Sequence, residues 1–329
     1  MAESSQSKKP HGVQRVLGKL DSSVKNGNYY EAHQMYRTLY FRYLTQKKYG
    51  ELLELLFDGA KLLLQHDQQT SGADLAILLV DVLVKSETEP SDFHISRLAQ
   101  LFSMVSPEVA EREVFLGSAL RWSSHDHAQF TNGHPSLHQA IAQIFWREKN
   151  FVLARYHFLH SRDGTGFATM LVELHRTRGF ATEVDLFIAQ VVLQYLCLQN
   201  KHTANVAFQS YTTQHPAIAK GPPYILPLLN FIFFLLKTVE SGKLAAFTVL
   251  CEQYQPCIKR DPSYPQYLDK IAQIFFGVPP PRQHNSGGLL GNILQSLVNG
   301  LGDNLCSDEE DLGMPVHLQI DGDYVGLNI

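Results

Sequence analysis

Residues 27–44 read GNYYEAHQMYRTLYFRYL, a Gly-Asn turn followed by a run rich in tyrosine. Tyr29, Ala32, Tyr36, Tyr40 and Tyr43 recur at i, i+3, i+7, i+11 and i+14, which makes one stripe of an α-helix. Phe41 and Leu44 form a second stripe beside Tyr30 and Arg37. A helix buried on one side needs a single stripe. Two stripes predict neighbours on two sides, as in a stack of helix pairs. The next segment, 47–66, goes further: Leu52, Leu53, Leu55, Leu56, Phe57, Leu62, Leu63 and Leu64 surround most of its circumference, so it is expected between layers.

The same plan runs along the chain. Strand signals are almost absent, and apolar residues recur at helical spacing over 11–26, 28–45, 47–66, 70–86, 91–104, 108–122, 135–148, 150–161, 165–178, 180–199, 201–214, 223–240, 242–255 and 263–276. NGNYYEAHQMY (26–36), QKKYGELLELL (46–56), EKNFVLARYHF (148–158), TRGFATEVDLF (177–187) and ESGKLAAFTVL (240–250) share one turn. Each ends a helix on a basic or polar residue, often adds Gly or Asn, and restarts on an apolar one. Gly and Asn tolerate the left-handed conformation that stops a helix, and the following Ala32, Ala154, Ala181 and Ala246 allow close helix approach. The expected fold is all-α: an α-solenoid of stacked antiparallel helix pairs, tetratricopeptide-like, with degenerate repeats.

The chain has 329 residues and a net charge of −4, which gives no global case for nucleic-acid binding. Charge is uneven, however. Residues 1–48 hold nine Lys and Arg against three acids, a net +6 that leaves −10 for the remainder. A basic end suits an acidic protein surface or a phosphate. Cys197, Cys251, Cys257 and Cys306 show no C-x-x-C spacing and suit a reducing compartment. MAESSQSKKPHG (1–12) lacks an apolar leader core, and YILPLLNFIFFLLKTV (224–239) is shorter than a membrane span and contains Pro227 and Asn230. It reads as a buried helix. A cytosolic protein without direct membrane insertion is expected.

No catalytic set survives inspection. His125, His127, His134 and His138 cluster, and His134/His138 have the i, i+4 interval of a zinc pair. Pro135 starts the helix, though, leaving His134 at its cap, and no H-E-x-x-H forms; a solvated loop is the expectation. His157 and His160 read as half-buried residues facing a repeat neighbour. Gly164/Gly166 and SGGLLGN (286–292) follow no strand and lead to no Gly-Lys-Ser/Thr. The carboxylates Glu51/Glu54 and Asp308–Asp311 lie on an exposed helix edge and in an acidic tail. No enzyme activity, metal or cofactor is expected. What remains is surface, with TTQHPAIAKGPPYILP (212–227) as the longest proline-bearing interruption. Ile218, Pro222, Pro223, Tyr224 and Ile225 could protrude there as a docking element.

GVQRVLGKL (12–20), NYYEAHQMYRTLYFRYL (28–44), HPSLHQAIAQIFWREKNF (134–151), RYHFLHSRDG (155–164), PPYILPLLNFIFFLLKTVESGKLAAFTVLCEQYQP (222–256), RDPSYPQYLDKIAQIFFGVPPP (260–281) and GGLLGNILQSL (287–297) resemble, in register, animal members of the Golgi-to-ER traffic protein four family. That resemblance implies a non-catalytic cytosolic adaptor for post-translational targeting of tail-anchored membrane proteins to the endoplasmic reticulum, and for quality control of mislocalised hydrophobic proteins. The partners it implies are a targeting ATPase, a large ubiquitin-like BAG-domain scaffold chaperone and a small ubiquitin-like protein of the same complex.

It places Arg15, Lys19, Arg37, Arg42, Lys47 and Lys48 opposite the ATPase. The scaffold or ubiquitin-like partner falls within about 205–276, where Tyr224, Ile225, Phe231, Phe234, Phe247, Tyr254, Tyr267 and Phe275 are the candidates. Domain expectations are a disordered 1–10, a solenoid over 11–277 (ATPase-facing over 11–150, scaffold-binding over 151–277), and 278–329 as linker, short amphipathic helix 288–300 and acidic disordered tail. The rival reading is a tetratricopeptide-type co-chaperone that clamps the acidic C-terminal peptide of a heat-shock protein. That needs basic residues converging from three adjacent repeats, whereas here they gather at one end.

Overall fold

The computed structural model describes residues 11–124 and 131–280; the expected N-terminal segment 1–10, His125, His127, the helix over 288–300 and the acidic tail lie outside the described residues. Among the described residues there is no strand. The helices are α1 (His11–Lys25), α2 (Tyr29–Thr45), α3 (Tyr49–Gln65), α4 (Gln69–Lys85), α5 (Asp92–Met104), α6 (Glu111–Ser124), α7 (Pro135–Arg147), α8 (Phe151–Leu159), α9 (Gly164–Arg178), α10 (Val184–Cys197), α11 (Lys201–Gln214), α12 (Pro227–Ser241), α13 (Leu244–Gln253), α14 (Gln255–Ile258) and α15 (Tyr264–Phe276). They belong to one unit, Met1–Pro279, and a second unit spans Pro280–Ile329.

One turn builds most of the stack. At Gly27 the backbone is left-handed (φ 74°), and so it is at Lys47, Asp67, Glu87, Lys149 and Gln199 (φ 54°, 58°, 50°, 62° and 59°). Each turn makes the same pair of hydrogen bonds. Gly27 N donates to Val24 O and Asn28 N to Ser23 O; Lys47 and Lys48 do so to Leu44 O and Tyr43 O, and Gln199 and Asn200 to Leu196 O and Tyr195 O. This is the Schellman arrangement, which satisfies carbonyls that the ending helix leaves free. The first four turns fall at 27, 47, 67 and 87, so α2, α3 and α4 repeat every 20 residues. Glycine occupies the left-handed position in only one of the six. Asn150 and Asn200 sit one residue later and cap the next helix, accepting from Leu153 N (3.2 Å) and Thr203 N (3.3 Å). Asparagine's task in these two turns is therefore to start a helix rather than to end one.

Burial follows the same interval. The buried residues Ala32, His33, Tyr36, Leu39, Tyr40 and Tyr43 of α2 recur as Leu52, Leu53, Leu56, Gly59, Ala60 and Leu63 in α3, and as Gly72, Ala73, Ala76, Leu79, Val80 and Leu83 in α4. Sizes at facing positions are reciprocal. A Cβ on Gly59 would come within 2.5 Å of the Tyr36 ring, and one on Gly72 within 2.6 Å of Leu64. Helices touch the next and next-but-one in the chain: α2 with α3 and α4, α3 with α5, α4 with α6, α5 with α7, α9 with α11, α10 with α12. The fold is an all-α solenoid.

One contact breaks that rule. The chain turns back after α14 and lays α15 on α10. There Arg260 donates to Asp185 at 2.6 Å, Gln194 Nε2 donates to the Tyr267 hydroxyl at 3.2 Å, and the Cys197 thiol donates to Tyr267 O at 3.6 Å. Helix α10 also receives α8, α9, α11 and α12, and is buried almost throughout.

Several sequence expectations change. The second stripe of α2 is not covered: Tyr30 is 78% and Phe41 59% exposed, because the neighbours of α2 meet the faces of His33 and Leu39 instead. Helix 223–240 begins at Pro227. Tyr224 is kept out of it by Asn230, whose carboxamide accepts from Tyr224 N and donates to Tyr224 O, both at 2.7 Å. The segment 242–255 is α13 followed by a break near Tyr254 and the four-residue α14, which opens on Pro256 within its first turn.

Lysine, aspartate and glutamate in the left-handed region are strained relative to glycine. Lys149→Gly and Glu87→Gly are each expected to raise the unfolding free energy by about 0.5–1 kcal/mol in urea titrations. Phe231→Ala, which empties a fully buried position, should lower it by about 3–5 kcal/mol.

Candidate interaction surfaces

The N-terminal basic residues divide into two groups. Arg42 donates to Gly12 O at 2.9 Å, tying the end of α2 to the start of α1. Arg15, on that same first turn and a half of α1, is exposed, as is Lys19 further along. Lys47 and Lys48 form the turn that follows α2, where Lys48 makes a 3.4 Å ion pair with Glu51. Arg15, Arg42, Lys47 and Lys48 therefore gather at one end of the first hairpin. Arg37 stands apart: it and His33 both engage Asp74 of α4, at 3.1 and 2.7 Å. Burial raises the Asp74 carboxyl, but His33 and Arg37 outweigh it and hold the group below its usual range.

Sequence reasoning missed Tyr30 and Phe41 as surface. Their signal was present: 30, 34, 37 and 41 mark the face opposite Ala32, Leu39 and Tyr43. The exposed face of α2 is thus aromatic and basic together, with Tyr30, Arg37 and Phe41 in line.

The C-terminal candidates also divide. Phe231 and Phe247 are 0% exposed and cannot dock anything in this conformation; they are core, Phe231 stacking near Tyr254 (5.8 Å) and Phe247 against Phe276 (4.7 Å). Tyr254 is half-buried through that contact. Tyr224 packs edge-on to Phe208, Tyr267 accepts from Gln194, and Phe275 lies under Lys201 (5.6 Å). Ile225 and Phe234 are the two candidates that face outward, at 84% and 45% exposure. The Asn230 staple explains Ile225, which it holds beside the first turn of α12. Phe234 lies one turn beyond Asn230 on the same face. Leu244 and Val249 of α13 are exposed as well, and sequence reading passed over both.

A family model described as Golgi to ER traffic protein 4 matches residues 46–298. The chain belongs to the Golgi to ER traffic protein 4 family. It is 54% identical over 307 residues to the Golgi to ER traffic protein 4 homolog of Xenopus tropicalis, covering 93% of this chain and 94% of that one. With the homolog of Homo sapiens it shares 53% over 307 residues, 93% of each chain. A solved structure described as the crystal structure of C. therm. Get4 superposes with a TM-score of 0.76 at 24% identity, covering 92% of this chain and all of that one, which supports the fold.

In this member of the Golgi to ER traffic protein 4 family five histidines among the described residues are buried: His33, His138, His157, His175 and His215. His134 caps α7, accepting from Ser136 N at 3.3 Å. His138 is fully buried rather than set in a solvated loop. Its Nε2 donates to Asn132 O at 2.9 Å, so its Nδ1 must accept, and the Nδ1–H of His157 supplies the proton at 2.9 Å. A second pair obeys the same logic. His215 Nδ1 accepts from Ala217 N (3.2 Å), so its Nε2–H donates to His175 Nδ1 (2.9 Å), and His175 Nε2–H donates to Phe180 O (2.9 Å). Protonating His138 or His215 at Nδ1 would remove the acceptor on which its pair depends.

Among the described residues no three His, Cys, Asp or Glu are grouped to hold a metal, and no helix is long and apolar enough to cross a membrane. Burial pushes the Cys197 and Cys251 thiols up to about 12, which leaves them inert as nucleophiles at neutral pH.

Burial, with the neighbouring His160 and His134, brings His138 down to about 4; burial, His175 and Arg176 do the same for His215. Below the free-histidine value of about 6.5 the unfolded chain binds protons that the folded one refuses. Stability from these groups is complete above that value and is lost as pH falls toward 4. Between pH 7 and pH 5 each should cost about 2 kcal/mol of unfolding free energy. Urea titrations at the two pH values check this, and His215→Gln should show the smaller drop.

Proposed function

We propose that this chain is a non-catalytic adaptor in Golgi-to-ER traffic, serving the post-translational targeting of tail-anchored membrane proteins and the quality control of mislocalised hydrophobic proteins. It works in the cytosol and binds two kinds of partner through separate faces. A targeting ATPase docks on the first hairpin, and a large ubiquitin-like BAG-domain scaffold, with its small ubiquitin-like companion, docks near α12 and α13.

The observation that carries this reading is the outward face of α2. Tyr30 and Phe41 stand exposed in line with Arg37, and the Phe41 end of that line adjoins Arg42, Lys47 and Lys48, with Arg15 near on α1. Exposed aromatics supply contact area at low entropic cost, and adjacent cations steer an acidic partner. Ile225 and Phe234 offer a second, uncharged face far along the chain. Holding two partners on one rigid stack raises their effective concentration for each other, which is all the mechanism an adaptor needs.

The two faces are separable by substitution. With the purified protein as bait in cytosol, quantitative mass spectrometry should show Arg42→Glu/Lys47→Glu losing the ATPase while retaining the scaffold. Ile225→Asp/Phe234→Asp should show the reverse. Loss of both partners together from either double variant, or of neither, contradicts the two-face arrangement. Capture of the ATPase should also weaken as salt is raised, because the steering charges are exposed.

A further inference from the structure

Four arginines among the described residues are buried or half-buried: Arg37, Arg97, Arg112 and Arg155. Three have carboxylates. Arg37 meets Asp74, Arg97 meets Glu54 through both oxygens (2.7 and 2.6 Å), and Arg112 is paired with Glu148. Arg155 of α8 has none. Its one hydrogen bond is to the Gln194 carboxamide oxygen at 3.5 Å, long and uncharged. A desolvated guanidinium with five donors normally holds an anion.

Its surroundings are donors too. The Tyr267 hydroxyl accepts from Gln194 Nε2 and keeps its own proton to give. The Tyr264 hydroxyl is fully buried and has no partner. Gln194 of α10 bridges Arg155 and the Tyr267 hydroxyl, so α8 and α15 bring polar groups to the same place over α10. The acids nearby are committed elsewhere: Asp185 is paired with Arg260, and Asp261 accepts from the Ser263 amide and hydroxyl. Asp185 keeps one unpartnered oxygen, too buried to reach the surface.

More positive charge lies along the same edge. Lys270 is exposed, close enough to pull on the Cys197 thiol, and Lys201 lies over Phe275 (5.6 Å); neither has an ion pair among the described residues. Apolar surface flanks them, with Val152 one turn before Arg155 and Leu198 one turn past Gln194, both exposed.

We infer that the junction of α8, α10 and α15 is a carboxylate-binding site, and that its ligand is an acidic side chain on an extended, partly apolar segment of a partner protein. Arg155 takes the carboxylate, the Tyr267 hydroxyl donates to its second oxygen, and Lys270 and Lys201 attract the rest of an acidic segment. The site stands on its own geometry and does not depend on which cellular pathway the chain serves. It is also remote in sequence from the basic first hairpin.

An unpaired cation held for a ligand destabilises the free protein, and that gives opposite signs to test. Arg155→Met is expected to unfold at a higher temperature than the parent chain. In fluorescence anisotropy it should bind a labelled, amidated hexapeptide of alternating Glu and Leu at least ten-fold more weakly than the parent. Tyr267→Phe, which removes one hydroxyl and keeps the ring, should weaken the same peptide by several-fold. A Gln-Leu hexapeptide should bind the parent at least ten-fold more weakly than Glu-Leu. Arg155→Met that melts earlier would mark the arginine as structural and overturn the site. So would equal binding by parent and variant, no binding of Glu-Leu by the parent, or displacement of the peptide by inorganic phosphate at equal concentration.

Discussion

Two hydrogen bonds at the end of a helix set the geometry of this protein. In each of six turns, one amide reaches back to the third carbonyl before it and the next amide to the fifth before it. The pair forces the intervening residue into the left-handed region and releases the following residue at a fixed angle to start another helix. In five of the six turns the next helix begins two residues after the left-handed one, and successive helices pack on their predecessors in the chain. The α-solenoid follows from that local rule more than from any long-range contact.

The consequence for reading the sequence is specific. Helix positions were legible because apolar periodicity survives any choice of apolar residue, and helix ends were legible wherever a polar turn interrupts it. The 20-residue interval was not. It is carried by burial and by a backbone angle, while the residues occupying equivalent positions alternate in size. Tyr36 needs Gly59 opposite, and Leu64 needs Gly72. Close packing between unlike neighbours erases the identity that a repeat search looks for. The left-handed residue itself is Gly, Lys, Asp, Glu or Gln, so it carries no consensus either.

Surface was harder to read than core, and for a physical reason. In α12 and α13 about two-thirds of the residues are apolar, so composition alone does not say which of them turn outward. Phe231 and Phe234 differ by three positions, yet the first is fully buried and the second 45% exposed. Asn230 decides the matter by fixing Tyr224, a contact between two residues that no periodicity predicts. On α2 the opposite error arose: Tyr30 and Phe41 look like core residues, and only the positions of α3 and α4 show that nothing covers them. Arginines sort in the same way. Four are buried or half-buried, and only their partners distinguish three that pair with carboxylates from Arg155, which meets only the Gln194 carboxamide.

The return of α15 onto α10 has a bearing on how the chain comes off the ribosome. The first hairpins can close as soon as each emerges, since every contact they need lies within the preceding two helices. Helix α10 cannot. Its Asp185 carboxylate and much of its apolar surface wait for Arg260 and α15, some 75 residues later in synthesis. During that interval a nearly all-apolar helix lacks one of its walls, so the nascent C-terminal half is the part of this protein that most needs shelter from other chains.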